Sequence, residues 1–227
     1  MFFWDPTYVI LLPAIVLAIY AQIKVQSTFG RYSQVHAGSG YTGARVAAEL
    51  LRRQGITDVK IEQVGGRLAD HYDPRTKVLR LSPDVYDSDS LAALGVAAHE
   101  TGHALQHREG YAPLALRSAI VPVASFGTTA AFILFLLGLI LSSPALMNLG
   151  ILLFAGYVLF ALVTLPVEFN ASTRAVALLQ NQGLVLPQEA GAVRQVLNAA
   201  ALTYVAAAAM AILQLVRLLA LRNMRND

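Results

Sequence analysis

The sequence predicts a mainly α membrane protein, a helical transmembrane bundle with a small α+β region. Three observations predict it. Of 227 residues, 56% are hydrophobic and 14% charged, against about a quarter charged in an ordinary soluble domain. The charges are concentrated: 12 of the 17 Lys and Arg, and 10 of the 14 Asp and Glu, fall between Lys24 and Arg117. Around that polar stretch lie four apolar runs, each near the ~20 residues that cross roughly 30 Å of hydrocarbon.

The first run, about Tyr8 to Val25, is expected to be a retained anchor (residues 1–25) and not a cleaved signal peptide. Asp5 precedes it, with no Lys or Arg ahead of the apolar core, whereas signal peptides begin with a positive region. The polar region, 26–118, has a readable order. Thr42 can cap a helix over Ala44 to Gln54, with Gly55 as its stop. Val59–Val64 alternates and ends at Gly65-Gly66, a turn signal. Arg67–Tyr72 and Lys77–Leu81 flank Asp73-Pro74-Arg75-Thr76, the composition of a turn between two strands. Asp89 or Ser90 then caps a helix through His107.

Runs two and three, about Ala119 to Leu141 and Leu146 to Val167, are separated by little more than Ser142–Pro144 and read as a transmembrane hairpin, 119–167. A helix over 168–198 follows. The fourth run, about Ala199 to Leu221, opens a C-terminal membrane helix and tail, 199–227. Gln214 and Arg217 weaken it, while Ala206–Ala209 suits close helix packing. Positive charge marks the cytoplasmic side. The polar region is therefore expected in the cytoplasm, with fourteen Lys and Arg inside against Arg217, Arg222 and Arg225 outside.

With no cysteine, a metal site must use His, Asp, Glu or water. The chemistry-bearing pattern is His99-Glu100-Thr101-Gly102-His103. Histidines four apart share one helix face, about 6 Å apart along the axis, and can converge on one Zn²⁺. Glu100, beside that face, can reach a metal-bound water as general base. Gly102 costs helix propensity but occupies a free position of the motif. His107 continues the spacing but lies about 12 Å from His99 along an unbroken helix, too far for a third ligand. Catalytic zinc usually has three protein ligands and a water. Glu168, at the exit of the third apolar run, is the expected third. A carboxylate there is costly unless paired or metal-bound. Glu109 and Glu189 are the alternatives.

Ala98-His99-Glu100-Thr101-Gly102-His103-Ala104-Leu105-Gln106 resembles the YugP-type neutral zinc metallopeptidases of bacterial membranes. So do Pro166–Arg174 (PVEFNASTR), the Asp73-Pro74 turn before Leu79-Arg80-Leu81-Ser82, and Ala199–Ala207 (AAALTYVAA). The resemblance covers nearly the whole chain. It implies a zinc-dependent endopeptidase in the bacterial inner (cell) membrane, multi-pass, with a zincin-like catalytic region. More distantly the pattern looks like the HtpX-type gluzincins, whose third-ligand Glu maps onto Glu168. Where that distant family has an Asp bracing a zinc histidine, this chain has Ser172. A different brace is therefore needed, Asn170 or Ser172 itself. Zinc peptidases of this kind bind substrate as an added strand, here expected on Lys77–Leu81. His71, Tyr72 and Arg174 are candidates to stabilise an oxyanion.

The expected partners are a peptide or protein substrate and the lipid bilayer. No Lys/Arg-rich run with interleaved aromatics supports a nucleic-acid partner, and nothing in the sequence speaks to an oligomeric state. Two rival functions would leave different marks on the sequence. A transporter calls for ionisable groups within the spans, and only Gln214 and Arg217 approach this. A non-catalytic membrane scaffold with a structural zinc keeps the ligands but has no use for Glu100.

Overall fold

The computed structural model describes residues 6–66 and 68–226. Asp5 and Arg67, both used above, lie outside the described residues. Among the described residues a 3-10 helix, Pro6–Leu11, is followed by seven α-helices: α1 (Leu12–Tyr32), α2 (Gly43–Arg53), α3 (Pro83–Tyr86), α4 (Leu91–Arg108), α5 (Ala112–Ile140), α6 (Pro144–Asn181) and α7 (Ala190–Asn226). Three strands, β1 (Lys60–Gln63), β2 (His71–Asp73) and β3 (Val78–Leu81), lie between α2 and α3. The chain forms two compact units. One comprises Met1–Ala21, Ala115–Pro166 and Thr203–Asp227; the other, Gln22–Leu114 and Val167–Leu202. The architecture is mainly α with one small sheet, as the sequence predicts.

Among the described residues, three helical stretches are long and apolar enough to cross a membrane: Pro6–Tyr32, Pro144–Asn181 and Ala190–Met224. The expected second span is bent by 45° between Ala112–Pro122 and Ala124–Ile140. Pro122 inside α5 explains this, because it lacks an amide donor and its ring crowds the preceding turn. α5 and α6 pack through Ala131, Phe135, Met147 and Phe154. Gly150 makes the close approach possible: a Cβ there would stand 2.7 Å from the Ala131 carbonyl oxygen. Many large apolar side chains face outward, among them Val16, Ile19, Leu136, Ile140, Leu152 and Leu159, as lipid contact demands.

In the second unit, Thr42 caps α2 as expected, its side chain accepting from the Arg45 amide. Gly55 follows with φ +67°, a conformation that Gly adopts without a Cβ clash. Residues 68–70 are not strand; pairing begins at His71. The sheet order is β1-β3-β2. β3 is parallel to β1, with Lys60 opposite Val78, and antiparallel to β2, with Tyr72 opposite Leu79. This corrects the expectation that Lys77–Leu81 is a substrate-binding edge. Both its sides are already paired, so β3 has no free ladder to offer; the open edges belong to β1 and β2.

Two cores meet on α4. Ala93, Ala97, Ala104 and Leu105 pack with Leu79 and Leu81 of the sheet and Ala47 and Leu51 of α2. Leu91, Leu94 and Ala98 pack with Val46 and Leu50 of α2, Ala175 and Leu179 of α6, and Val193 and Leu197 of α7. A helix covered on opposite sides needs apolar residues around most of its circumference, which the Ala-rich start of α4 supplies. Residues 168–198 are not a separate helix: they comprise the end of α6, a turn and the start of α7.

Candidate metal centre

Ser90 starts α4, its side chain accepting from the Ala93 amide. The four-residue spacing then places His99 and His103 on one face, their rings 4.7 Å apart and edge to face. Glu168, 2% exposed, enters from α6. Its Oε2 lies 3.2 Å from His99 Nε2 and 3.7 Å from His103 Nε2. The three potential ligand atoms fall within 4.8 Å of one another. Ligands bound at about 2.0–2.2 Å around a tetrahedral zinc are themselves roughly 3.3–3.6 Å apart. The group therefore fits zinc with small adjustments, and the His₂Glu donor set is that of a catalytic site with one position left for water.

Electrostatics favour positive charge here. Burial alone pushes the His103 imidazole down, but the nearby carboxylates of Glu168 and Glu100 outweigh it and raise its pKa. Glu100 is buried on α4, 8% exposed. Among the described residues no side chain is hydrogen-bonded to its carboxylate.

A close helix contact brings the group together. A Cβ on Gly102 would stand 2.8 Å from the Ala171 carbonyl oxygen and 3.2 Å from Ala171 Cα. Position 102 is thus not free, as the motif alone implies: it is where the α6 backbone presses against α4. Ala171 lies between Glu168 and Ser172, so this contact aims both at the histidines.

Each histidine presents Nε2 to Glu168 and Nδ1 to a partner behind it. Ser172 Oγ is 3.1 Å from His99 Nδ1, at the position where the sequence requires a substitute for Asp. Gln106 Oε1 is 2.9 Å from His103 Nδ1. Gln106 Nε2 donates to the Val167 carbonyl at 2.8 Å and to Asn170 Oδ1 at 2.9 Å. Arg174 Nε donates to the same Asn170 oxygen at 2.7 Å, and its other arm pairs with Glu109 at 2.6 Å. Sequence reasoning assigned Gln106 nothing. The available signal was its place three residues after His103, on the same helix face.

The remaining candidates have other partners. His71 Nδ1 donates to the Ala69 carbonyl and its Nε2 accepts from Arg80. The Tyr72 hydroxyl is 2.9 Å from His107 Nδ1, which ties β2 to the end of α4. Burial, then the charges of Asp58 and Asp73, push the Tyr72 phenol up to about 12. Glu109 is engaged by Arg174. Glu189 accepts from the amides of Gly38 and Leu186 at 2.8 and 2.7 Å, fastening the turn before α7. Neither alternative carboxylate joins the histidines.

Residues 7–223 match the family described as "Putative neutral zinc metallopeptidase". The chain is also 50% identical over 204 residues to "Putative membrane protease YugP" of Bacillus subtilis (strain 168), covering 90% of this chain and 91% of that protein. No solved structure matches the chain. A family match over nearly the full length, agreeing with a buried His₂Glu group that fits zinc, shows that the chain belongs to the neutral zinc metallopeptidase family.

Proposed function

We propose that the chain is a membrane-embedded endopeptidase in which His99, His103 and Glu168 hold zinc and Glu100 is the general base. One observation carries the reading. A carboxylate 65 residues beyond the second histidine is buried within 3.2 and 3.7 Å of two Nε2 atoms, next to a fourth, acidic side chain with no hydrogen-bonded side-chain partner among the described residues. Bound zinc supplies Lewis acidity, lowering the pKa of a water toward about 7 and polarising the scissile carbonyl. Glu100 takes the proton of the attacking water and delivers it to the leaving amine. A structural zinc is normally closed by four protein ligands; the group here has three among the described residues.

The Lys/Arg asymmetry supports a cytoplasmic catalytic region in a bacterial cell membrane. The open β2 edge, hydrogen-bonded to α4 through Tyr72, supports peptide substrates in extended form. The test is Glu100→Gln, with zinc content and casein digestion measured on one detergent-solubilised preparation. The expected result is full zinc and no hydrolysis. Hydrolysis at the wild-type rate would remove Glu100 as base, and a wild type without zinc would remove the metal site.

A further inference from the structure

Gln106 is 0% exposed, a costly place for an amide unless every polar atom is paired. All are paired, and the pairing has a direction. The Val167 carbonyl oxygen can only accept, so the Gln106 atom 2.8 Å from it must be the amide nitrogen. A second, independent constraint agrees. Arg174 has only donors, so the Asn170 atom 2.7 Å from its Nε must be oxygen. That oxygen in turn requires the amide nitrogen of Gln106, at 2.9 Å. With the nitrogen fixed twice, Gln106 turns its oxygen to His103 Nδ1, at 2.9 Å. An amide oxygen accepts only, so His103 Nδ1 must carry the proton.

We propose that Gln106 is a positioning residue that fixes His103 as the Nδ1–H tautomer and leaves the Nε2 lone pair facing Glu168 and the metal position. The direction is imposed from Arg174 and the Val167 carbonyl. This rests on the reading of His103 as a zinc ligand. It adds a residue outside the ligand set and specifies where its orientation comes from. Glu168 competes weakly for a proton on His103 Nε2, because its Oε2 is 3.7 Å away, beyond ordinary hydrogen-bond reach. Removing the Gln106 oxygen transfers the advantage to Glu168, and the proton moves to Nε2, the atom the metal needs.

The experiment uses the full chain in detergent, metal-free and labelled with ¹⁵N-histidine, at alkaline pH where the imidazoles are neutral. The His103 signal is assigned by its loss in His103→Gln. In the wild type the expected signal is Nδ1–H. In Gln106→Met, similar in volume but without the amide, it shifts to Nε2–H. In Asn170→Asp, which keeps acceptors for both Gln106 and Arg174, it stays Nδ1–H. Zinc affinity, measured by chelator competition, is expected to fall 10–100-fold in Gln106→Met. A wild type with Nε2–H overturns the proposal whether or not the variant folds. An unchanged tautomer and zinc affinity in Gln106→Met overturns it while leaving the metal centre standing. A tautomer switch from wild type to Gln106→Met, with no zinc bound by the wild type, refutes the metal centre, and the orientation of His103 by Gln106 survives.

Discussion

The contact between Gly102 and Ala171 yields a quantitative test. In Gly102→Ala, the new Cβ would lie 2.8 Å from the Ala171 oxygen, whereas ordinary contact begins at 3.4 Å. The two helices must move apart locally by about 0.6 Å, because the obstacle is backbone held within α6 and not the end of a side chain. Two stability effects oppose each other. Alanine gains ~1 kcal/mol of helix propensity, and overpacking costs ~1–3 kcal/mol. The net loss is ~0–2 kcal/mol, so the variant is expected to fold. Zinc is less forgiving, since ligand distances in working sites hold within about ±0.2 Å. A shift of ~0.6 Å moves Glu168 relative to both histidines by several times that tolerance. The expected result is a zinc affinity lower by on the order of 10–100-fold, comparable to losing a ligand's support, with only a modest change in thermal unfolding. Gly95→Ala is the matched control. Its Cβ meets a side-chain atom, Val193 Cγ1 at 3.2 Å, away from the ligands, and zinc affinity should stay at the wild-type value. Equal affinities in wild type and Gly102→Ala would refute the claim that this contact sets the ligand geometry.

Replacing Glu168 with Ala should abolish stable zinc retention after dialysis against a weak chelator, and Asp should restore it only in part; Glu189→Ala, which loses the Gly38 and Leu186 contacts, should retain zinc while lowering the unfolding temperature. Retention by Glu168→Ala would remove it from the site. Tyr72→Phe should cost about 1 kcal/mol near neutral pH, the usual worth of a hydrogen bond. Because the folded phenol is raised from 10 to about 12, its contribution is full below pH 10 and is lost as pH rises toward 12. Denaturation curves of wild type and variant should therefore converge across that window, and a constant gap would contradict the burial of this hydroxyl. Single cysteines at Gln34 and Thr57, both exposed, should resist a membrane-impermeant thiol reagent in intact cells, and labelling without lysis would reverse the proposed orientation.

What was legible in the sequence is what local spacing encodes. His99, Glu100 and His103 are set by the pitch of one helix, and Ser90 and Thr42 cap where their neighbours say they should. Glu168 was legible for a different reason, the cost of an unpaired carboxylate at the end of an apolar run. Contacts between distant segments were not legible. Nothing local marks Gly102 as the point where α6 touches α4, because a glycine in a motif reads equally well as a tolerated spacer. Beyond its spacing from His103, nothing around Gln106 marked a role for it, because that role depends on Val167 and Asn170, more than sixty residues away. The place of β3 in the sheet was hidden because strand order is a property of pairing, not of alternation. The continuity of α6 was hidden because the apolar run ends near Val167, while the helix runs on, with Pro166 inside it, to Asn181.

That a strand late in the sequence lies between two earlier ones has a consequence for how the polar region assembles. β1 cannot pair with β2 and wait; among the described residues its only neighbour is β3, with Lys60 joined to Val78 eighteen residues later. The β2–β3 hairpin closes a shorter loop, and Asp73 already organises it by accepting from the Arg75 amide and the Thr76 hydroxyl. Loop-closure entropy therefore favours the hairpin as the first event. β1, with Lys60 and Glu62 at a solvent-facing edge, docks afterwards. During synthesis the segment 60–63 emerges first yet is ordered last, and in hydrogen exchange its amides should be the first of the sheet to lose protection.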